Sequence, residues 1–180
     1  MIEPDSVEST TPETPDPDEL HTLVTEYGDA VYRLARSVVR DTSLAEDIAQ
    51  ETMVKAWMAL PTLRNRAALR GWILRIAHNT AISTMRARKA LVMDPHEFPE
   101  PESVPERSVE SRVQGGAVMD DFAEALNQLD DLSRSIVVLR EVEGLPYDEI
   151  CEILEVPLPT VKTRLLRARR KLSASMRSWE

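Results

Sequence analysis

Between Asp94 and Gly116 the chain carries Pro95, Pro99, Pro101 and Pro105, six acidic residues and the pair Gly115-Gly116. Such a stretch supports neither helix nor sheet, because proline lacks the backbone donor and fixes φ, while paired glycines loosen the chain. It reads as an acidic, extended linker, and residues 94–116 reach at most ~75 Å when stretched. Whatever folds must do so as two small units, one on each side, able to engage sites tens of ångströms apart. The first residues, MIEPDSVESTTPETPDPDEL, are acidic, proline-rich and free of aromatics, and read as a disordered extension. The expected organisation is an extension over 1–19, a first unit over 20–93, the linker over 94–116 and a second unit over 117–176.

Both units are predicted to be all-α. Aromatics make up 4% of the chain and there are 5 glycines in 180 residues, too few for a strand-and-turn architecture, while 42% hydrophobic residues can supply cores. A single cysteine, Cys151, excludes an internal disulfide framework and a multi-cysteine zinc site. His21, His78 and His96 are scattered, so no metal or other cofactor is expected. No apolar run approaches membrane length, and the N-terminus lacks the basic and apolar regions of a secretory signal, which points to a soluble cytoplasmic protein.

The net charge of −9 conceals a strong segregation. Residues 60–93 hold no acid and seven bases (Arg64, Arg66, Arg70, Arg75, Arg86, Arg88 and Lys89). The tail 157–180 carries +6, whereas 1–20 carries −7 and 117–156 carries −9. Two basic blocks in an acidic chain suit two nucleic-acid contact surfaces or two solvated helix faces. The acidic segments would repel phosphates or compete with them for the same arginines.

In the first unit, Leu20, Leu23, Val24, Tyr27, Val31, Leu34 and Val38 mark a helix over about 18–39. A second helix starts at Ser43 with a capping-box pattern, Ser43-x-x-Glu46, and is limited by Pro61. Its buried side is Ala45, Ile48, Ala49, Met53, Ala56, Trp57 and Leu60. The opposite stripe, Asp47, Gln50, Glu51, Val54 and Met58, mixes carboxylates with apolar residues, as a docking face for a basic, partly apolar partner would, although a plain solvated face has the same spacing. A loop with Arg64, Asn65 and Arg66 leads to a third helix over about 67–89, with Leu69, Trp72, Ile73, Ile76, Ala77 and Thr80 inward. Arg75, His78, Asn79, Ile82, Arg86 and Lys89 line another face, where arginines can hold phosphates and Asn79 can pair with a base edge. Trp72 fits a core position or a platform for an unpaired base equally well. His78 reads as a surface histidine.

The second unit begins with a helix over about 117–129, followed by one capped by Asp131 or Ser133 that stops at Gly144. YDEICEIL and PTVKTRLLRARRKL then form two helices across a short turn, the arrangement of a helix-turn-helix. Val161, Leu165, Ala168 and Leu172 share the core face, leaving Thr160, Lys162, Thr163, Leu166, Arg167 and Arg170 for a major groove.

DTSLAEDIAQETMVKAW, LRGWILRIAHNTAISTMRARK and GLPYDEICEILEVPLPTVKTRLLRARRKL together resemble the bacterial extracytoplasmic-function (ECF) sigma factors of RNA polymerase, over about residues 20–176. The resemblance implies a non-enzymatic promoter-specificity subunit. Asp47, Gln50, Glu51, Val54 and Met58 would dock on the clamp helices of the polymerase's largest subunit. The flap of the second largest subunit would be a further contact of the polymerase core. Arg64, Asn65, Arg66, Trp72, Arg75, Asn79 and Arg86 would melt and read the −10 element, the loop holding an extruded base. Thr160, Lys162, Thr163, Leu166, Arg167 and Arg170 would read the −35 element in duplex DNA. The linker would follow the RNA-exit path, and an anti-sigma factor, which can hold such a protein at the membrane, is an expected partner.

Some positions depart from the family pattern: Ser83 stands where Asp is frequent, and Glu155 and Pro159 replace common glycines. Proline near a helix start is compatible with the first turn. Cys151 occupies a small-residue position and reads as a buried filler. The alternative, a stand-alone helix-turn-helix regulator, would need neither the Asp47–Met58 stripe nor a loop suited to melted DNA. Hydrolytic or metal chemistry finds no Gly-rich phosphate loop and no nucleophile beside a base.

Overall fold

The computed structural model describes residues 16–92 and 125–177, so the extension before Asp16, the linker 94–116 and the start of the helix expected at 117–129 lie outside the described residues. The first unit packs α1 (Pro17–Val39), α2 (Thr42–Ala59) and α3 (Leu69–Val92) against one another, with short 3₁₀ turns at Leu60–Thr62 and Arg66–Ala68. The second contains α4 (Asp131–Val137), a π turn over Val138–Val142, α5 (Tyr147–Leu154) and α6 (Leu158–Arg177).

Helix ends follow local chemistry, though not always at the expected residue. Asp16 caps α1 by accepting from the Asp18 N–H, with Pro17 in the first turn, so the helix starts three residues before the expected unit boundary. Arg40 closes α1 in the left-handed region at φ 59°. The cap of α2 is Asp41, whose carboxylate accepts from the Leu44 N–H at 2.9 Å, and Ser43 lies inside the helix. At α4 the cap is Asp130, one residue before the expected pair, accepting from both the N–H and the hydroxyl of Ser133. In both cases an Asp just upstream of the serine reaches the orphan N–H groups first.

Core faces follow the sequence periodicity closely. On α6, Val161, Leu165, Ala168 and Leu172 are buried as expected. On α1, Leu23, Val31, Leu34 and Val38 are buried, while Val24 is exposed and Ala30 and Ala35 take inward places. On α2, Trp57 is only half-buried and donates its indole N–H to the Asp16 carbonyl, while Thr52 is buried instead. On α3, Leu74 and Ala81 are buried, and Trp72 and Ile76 are half-buried.

The two units also pack against each other, a contact that the sequence reading did not address. The α1 helix packs on α4 and α3 packs on α5. Leu34, Ile73 and Leu74 belong to the same hydrophobic cluster as Ile136, Leu139, Ile150 and Ile153. Polar contacts seal this seam. The Glu143 carboxylate accepts from Arg33 Nε and from Arg70 Nη2, each at 2.7 Å. Arg134 donates to the Ser37 and Leu129 carbonyls and pairs with Asp131. Burial pulls the Arg134 guanidinium below its usual range, with Asp131 opposing that effect.

Between α5 and α6 the chain turns at Glu155, which sits in the left-handed region at φ 55°, ψ 43°. A side chain pays a steric penalty there that glycine avoids, and the Arg75–Glu155 pair at 3.4 Å is too exposed to offset it. Glu155→Gly should therefore raise stability by up to about 1 kcal/mol. Urea melts check this, and a destabilised variant would contradict it.

Candidate nucleic-acid interface

The α6 helix is backed by buried residues and presents a mixed outward face. Lys162, Thr163, Leu166, Arg167 and Arg170 are exposed, and Thr160 is half-buried. Pro159, Thr160, Thr163, Arg167 and Lys171 border a cleft of about 470 Å³ against Leu129 and Ser133. The start of α6 is steadied by Tyr147, whose ring lies 5.9 Å from Lys162 Nζ. Two arginines of the basic tail are turned to internal work: Arg164 pairs with Asp130 at 2.8 Å, and Arg169 with Glu141 at 2.6 Å. Arg169 thus lies away from Arg167, as a step of two positions, about 200° around a helix, requires. The outward face can grip phosphate with its cations while Thr163 and Leu166 meet base edges.

In the first unit, Arg64, Asn65 and Arg66 are exposed in the loop before α3. Asn65 caps the following turn through the Ala67 N–H, which shapes the loop, and Arg66 pairs with Glu19 at 3.1 Å. Arg75, Asn79 and Arg86 are exposed along α3. Trp72, open to either reading from sequence, is half-buried at a cleft of about 260 Å³ with Leu63, Gly71, Arg75, Glu149 and Glu152. Asp47, Gln50, Glu51, Val54 and Met58 are all exposed on α2, Val54 by 46% and Met58 by 65%. Glu51 is held by Lys55 at 2.6 Å.

Three residues carry roles that sequence reasoning missed. Glu143 and Arg134 sit in the seam between the units. The available signal for Glu143 was an acid following Ile136 and Leu139 at spacings of three and four, a charge on an apolar stripe. Cys151, expected as a buried filler, is half-buried beside Tyr147 and Pro157.

His78 is the third, and differs from a surface histidine. It borders a groove of about 620 Å³ between α3 and the second unit, with Asn79, Ile82, Arg86, Leu154 and Glu155 among its neighbours. Its Nδ1 is buried without a hydrogen-bond partner among the described residues. Burial holds the imidazole below its usual 6.5, while Asn79 and Glu155 pull it up. The folded form then binds fewer protons than the unfolded chain as pH falls through the ordinary imidazole value, so stability is lost on acidification. Urea midpoints should rise between about pH 5 and pH 8, and His78→Gln should flatten part of that rise.

Residues 23–91 match Sigma-70 region 2, and residues 119–172 match Sigma-70 region 4. Over 165 residues the chain is 32% identical to the RNA polymerase sigma-H factor of Pseudomonas aeruginosa, covering 86% of this chain and 84% of that one. It is 34% identical over 159 residues to the ECF RNA polymerase sigma factor SigE of Mycolicibacterium smegmatis, covering 83% of this chain and 58% of that one. Among solved structures, the sigma factor RpoE in complex with the anti-sigma factor NepR from Bartonella quintana aligns with a TM-score of 0.73 at 26% identity, over 89% of this chain and 98% of that chain.

Proposed function

Because the chain belongs to the sigma-70 family of bacterial RNA polymerase sigma factors, in the ECF group, we propose a division of promoter recognition among its surfaces. A sigma factor directs the polymerase core to promoters, and the two matched regions stand here in order on one chain. In this reading the protein performs no catalysis of its own.

The observation that carries the assignment is the face of α6: a row of cations, a threonine and a leucine exposed on a helix whose Val161, Leu165, Ala168 and Leu172 are buried. Thr160, Lys162, Thr163, Leu166, Arg167 and Arg170 read the −35 element. Arg64, Asn65, Arg66, Trp72, Arg75, Asn79 and Arg86 serve the melted −10 element, the tryptophan as a stacking platform and the arginines as phosphate contacts. Asp47, Gln50, Glu51, Val54 and Met58 dock on the polymerase clamp helices, where exposed Val54 and Met58 add apolar area between carboxylates. The second unit meets the flap. Residues 1–15 and 94–116 act as an acidic extension and a linker. An anti-sigma factor is a partner, by analogy with the solved relative bound to one, and the protein works in the cytoplasm or held at the membrane through that partner. A regulator acting without polymerase would have no use for the α2 stripe.

Run-off transcription with core polymerase on a −35 library tests the reading face. Arg167→Ala should relax base preference at one or two positions, costing about 1–3 kcal/mol there. Arg169→Ala, which breaks only the pair with Glu141, should affect all sequences alike. If Arg169→Ala shifts the preferred sequence and Arg167→Ala does not, the face is rotated by half a turn.

Gln50→Ala with Glu51→Arg should abolish core binding in a pull-down with purified polymerase. Melting should barely change, since exposed substitutions alter stability by less than about 0.5 kcal/mol. Retained binding would remove α2 from the docking role.

A further inference from the structure

The cleft of about 470 Å³ between α4 and α6 opens beside the reading face of α6. Its walls carry Thr163, Arg164 and Arg167 from α6 and a carboxylate, Asp130, from the start of α4. Both oxygens of that carboxylate are tied down. Oδ1 accepts from the Ser133 N–H at 3.0 Å, and Oδ2 from the Ser133 hydroxyl at 2.7 Å. Arg164 Nη1 donates to Asp130 Oδ1 at 2.8 Å and to the Ser133 hydroxyl oxygen at 3.3 Å. Burial pushes the Asp130 carboxyl up, yet the two Ser133 bonds and the Arg164 cation outweigh it and hold it below the usual carboxylate range. The acid is therefore charged at neutral pH.

A carboxylate beside a DNA-reading helix repels the phosphates that the helix must approach. The cap does not require it, because asparagine or serine caps a helix as well as aspartate does. What neither can supply is a negative charge for Arg164. The side chains of Arg164 and Asp130 are 37% and 60% exposed, and so open a pair adds little to stability. Its larger effect is on what Arg164 can bind. A carboxylate already oriented by Ser133 offers the guanidinium the same kind of charge-assisted hydrogen bond as a DNA phosphate oxygen.

We propose that Arg164 is a withheld phosphate contact: Asp130 stands where a backbone phosphate would and so lowers the sequence-independent affinity of the second unit for DNA. The proposal rests on the assignment of the α6 face to duplex DNA. Backbone contacts add affinity but read no sequence. With Arg164 withheld, a larger share of the binding falls to Thr163, Leu166 and Arg167.

The test is fluorescence anisotropy of the full chain, in which the α6 face is exposed, on a labelled duplex of randomised sequence over a salt series. Asp130→Asn keeps the cap and removes the charge, so helicity by circular dichroism should be retained. It should tighten binding on the order of fivefold and steepen the log–log salt slope by about 0.9, the signature of one added phosphate contact. Asp130→Ser, also a good cap but too short to reach Arg164, should do the same. Asp130→Asn with Arg164→Gln has the net charge of the parent chain and should match its affinity and slope. Asp148→Asn, which removes another exposed acid of the unit without releasing an arginine, should leave the slope nearly unchanged. An unchanged slope in Asp130→Asn overturns the proposal. So does a double variant with a shallower slope than the parent, since Arg164 would then already hold a phosphate. Equal steepening by Asp148→Asn overturns it as well, because net charge alone would account for the gain. Lys162→Ala with Arg170→Ala separates this from the underlying assignment. Weakened binding there beside an inert Asp130→Asn overturns the withholding and keeps the reading face, whereas indifference to the loss of both cations overturns the reading face itself.

Discussion

The pairing of Glu143 with Arg33 and Arg70 is the contact on which the arrangement of the two units turns. An acid at that depth is tolerated because two cations arrive from different helices, and each supplies a directed hydrogen bond. Removing one partner from a buried pair leaves the other charge uncompensated, which costs about 3–5 kcal/mol in fully buried cases. The arginines are roughly half-exposed, so the cost here is lower, and the apolar seam of Leu34, Ile73, Ile136 and Ile150 carries the remainder. The π turn after α4 matters in this respect. Glu143 follows it on the inner side, its N–H bonded to the Val138 carbonyl, and Gly144 at φ 68° then lets the chain swing Leu145 into the core.

On α2 and α6, the faces proposed for polymerase and DNA are the reverse of packed ones. On α6 four apolar residues at three- and four-residue spacing are buried, and the remaining positions are left to cations, Thr163 and Leu166. On α2 the burial of Ala45, Ile48, Met53 and Ala56 leaves Asp47, Gln50, Glu51, Val54 and Met58 outward. The charge segregation is used in the same way. Acids of the second unit pair with surplus arginines, so that Arg164 and Arg169 brace the helix-turn-helix while Arg167 and Arg170 stay at the surface.

Helices α1, α2, α3, α5 and α6 were legible because apolar spacing and proline positions are local signals that no distant contact overrides. The caps at Asp41 and Asp130 were misplaced by one or two residues, since several polar residues in a row could accept the same N–H groups. The status of Trp72 and His78 could not be read locally either. Both lie on the edge of α3 that is half-covered by α5 and its turn, a surface that exists only once the second unit has docked.

By itself the sequence determined an all-α chain in two units, which residues back each helix, and which cations, hydroxyls and apolar side chains are left to face outward. Those properties follow from periodicity, and periodicity is a property of neighbouring residues. Only the tertiary structure decided that the units pack together, that Glu143 and Arg134 are buried in the seam, and that acids of α5 lie along the basic face of α3. The physical reason is that a buried charge is stable only beside its partners. Those of Glu143 stand 110 and 73 positions away along the chain, where no local pattern can pair them.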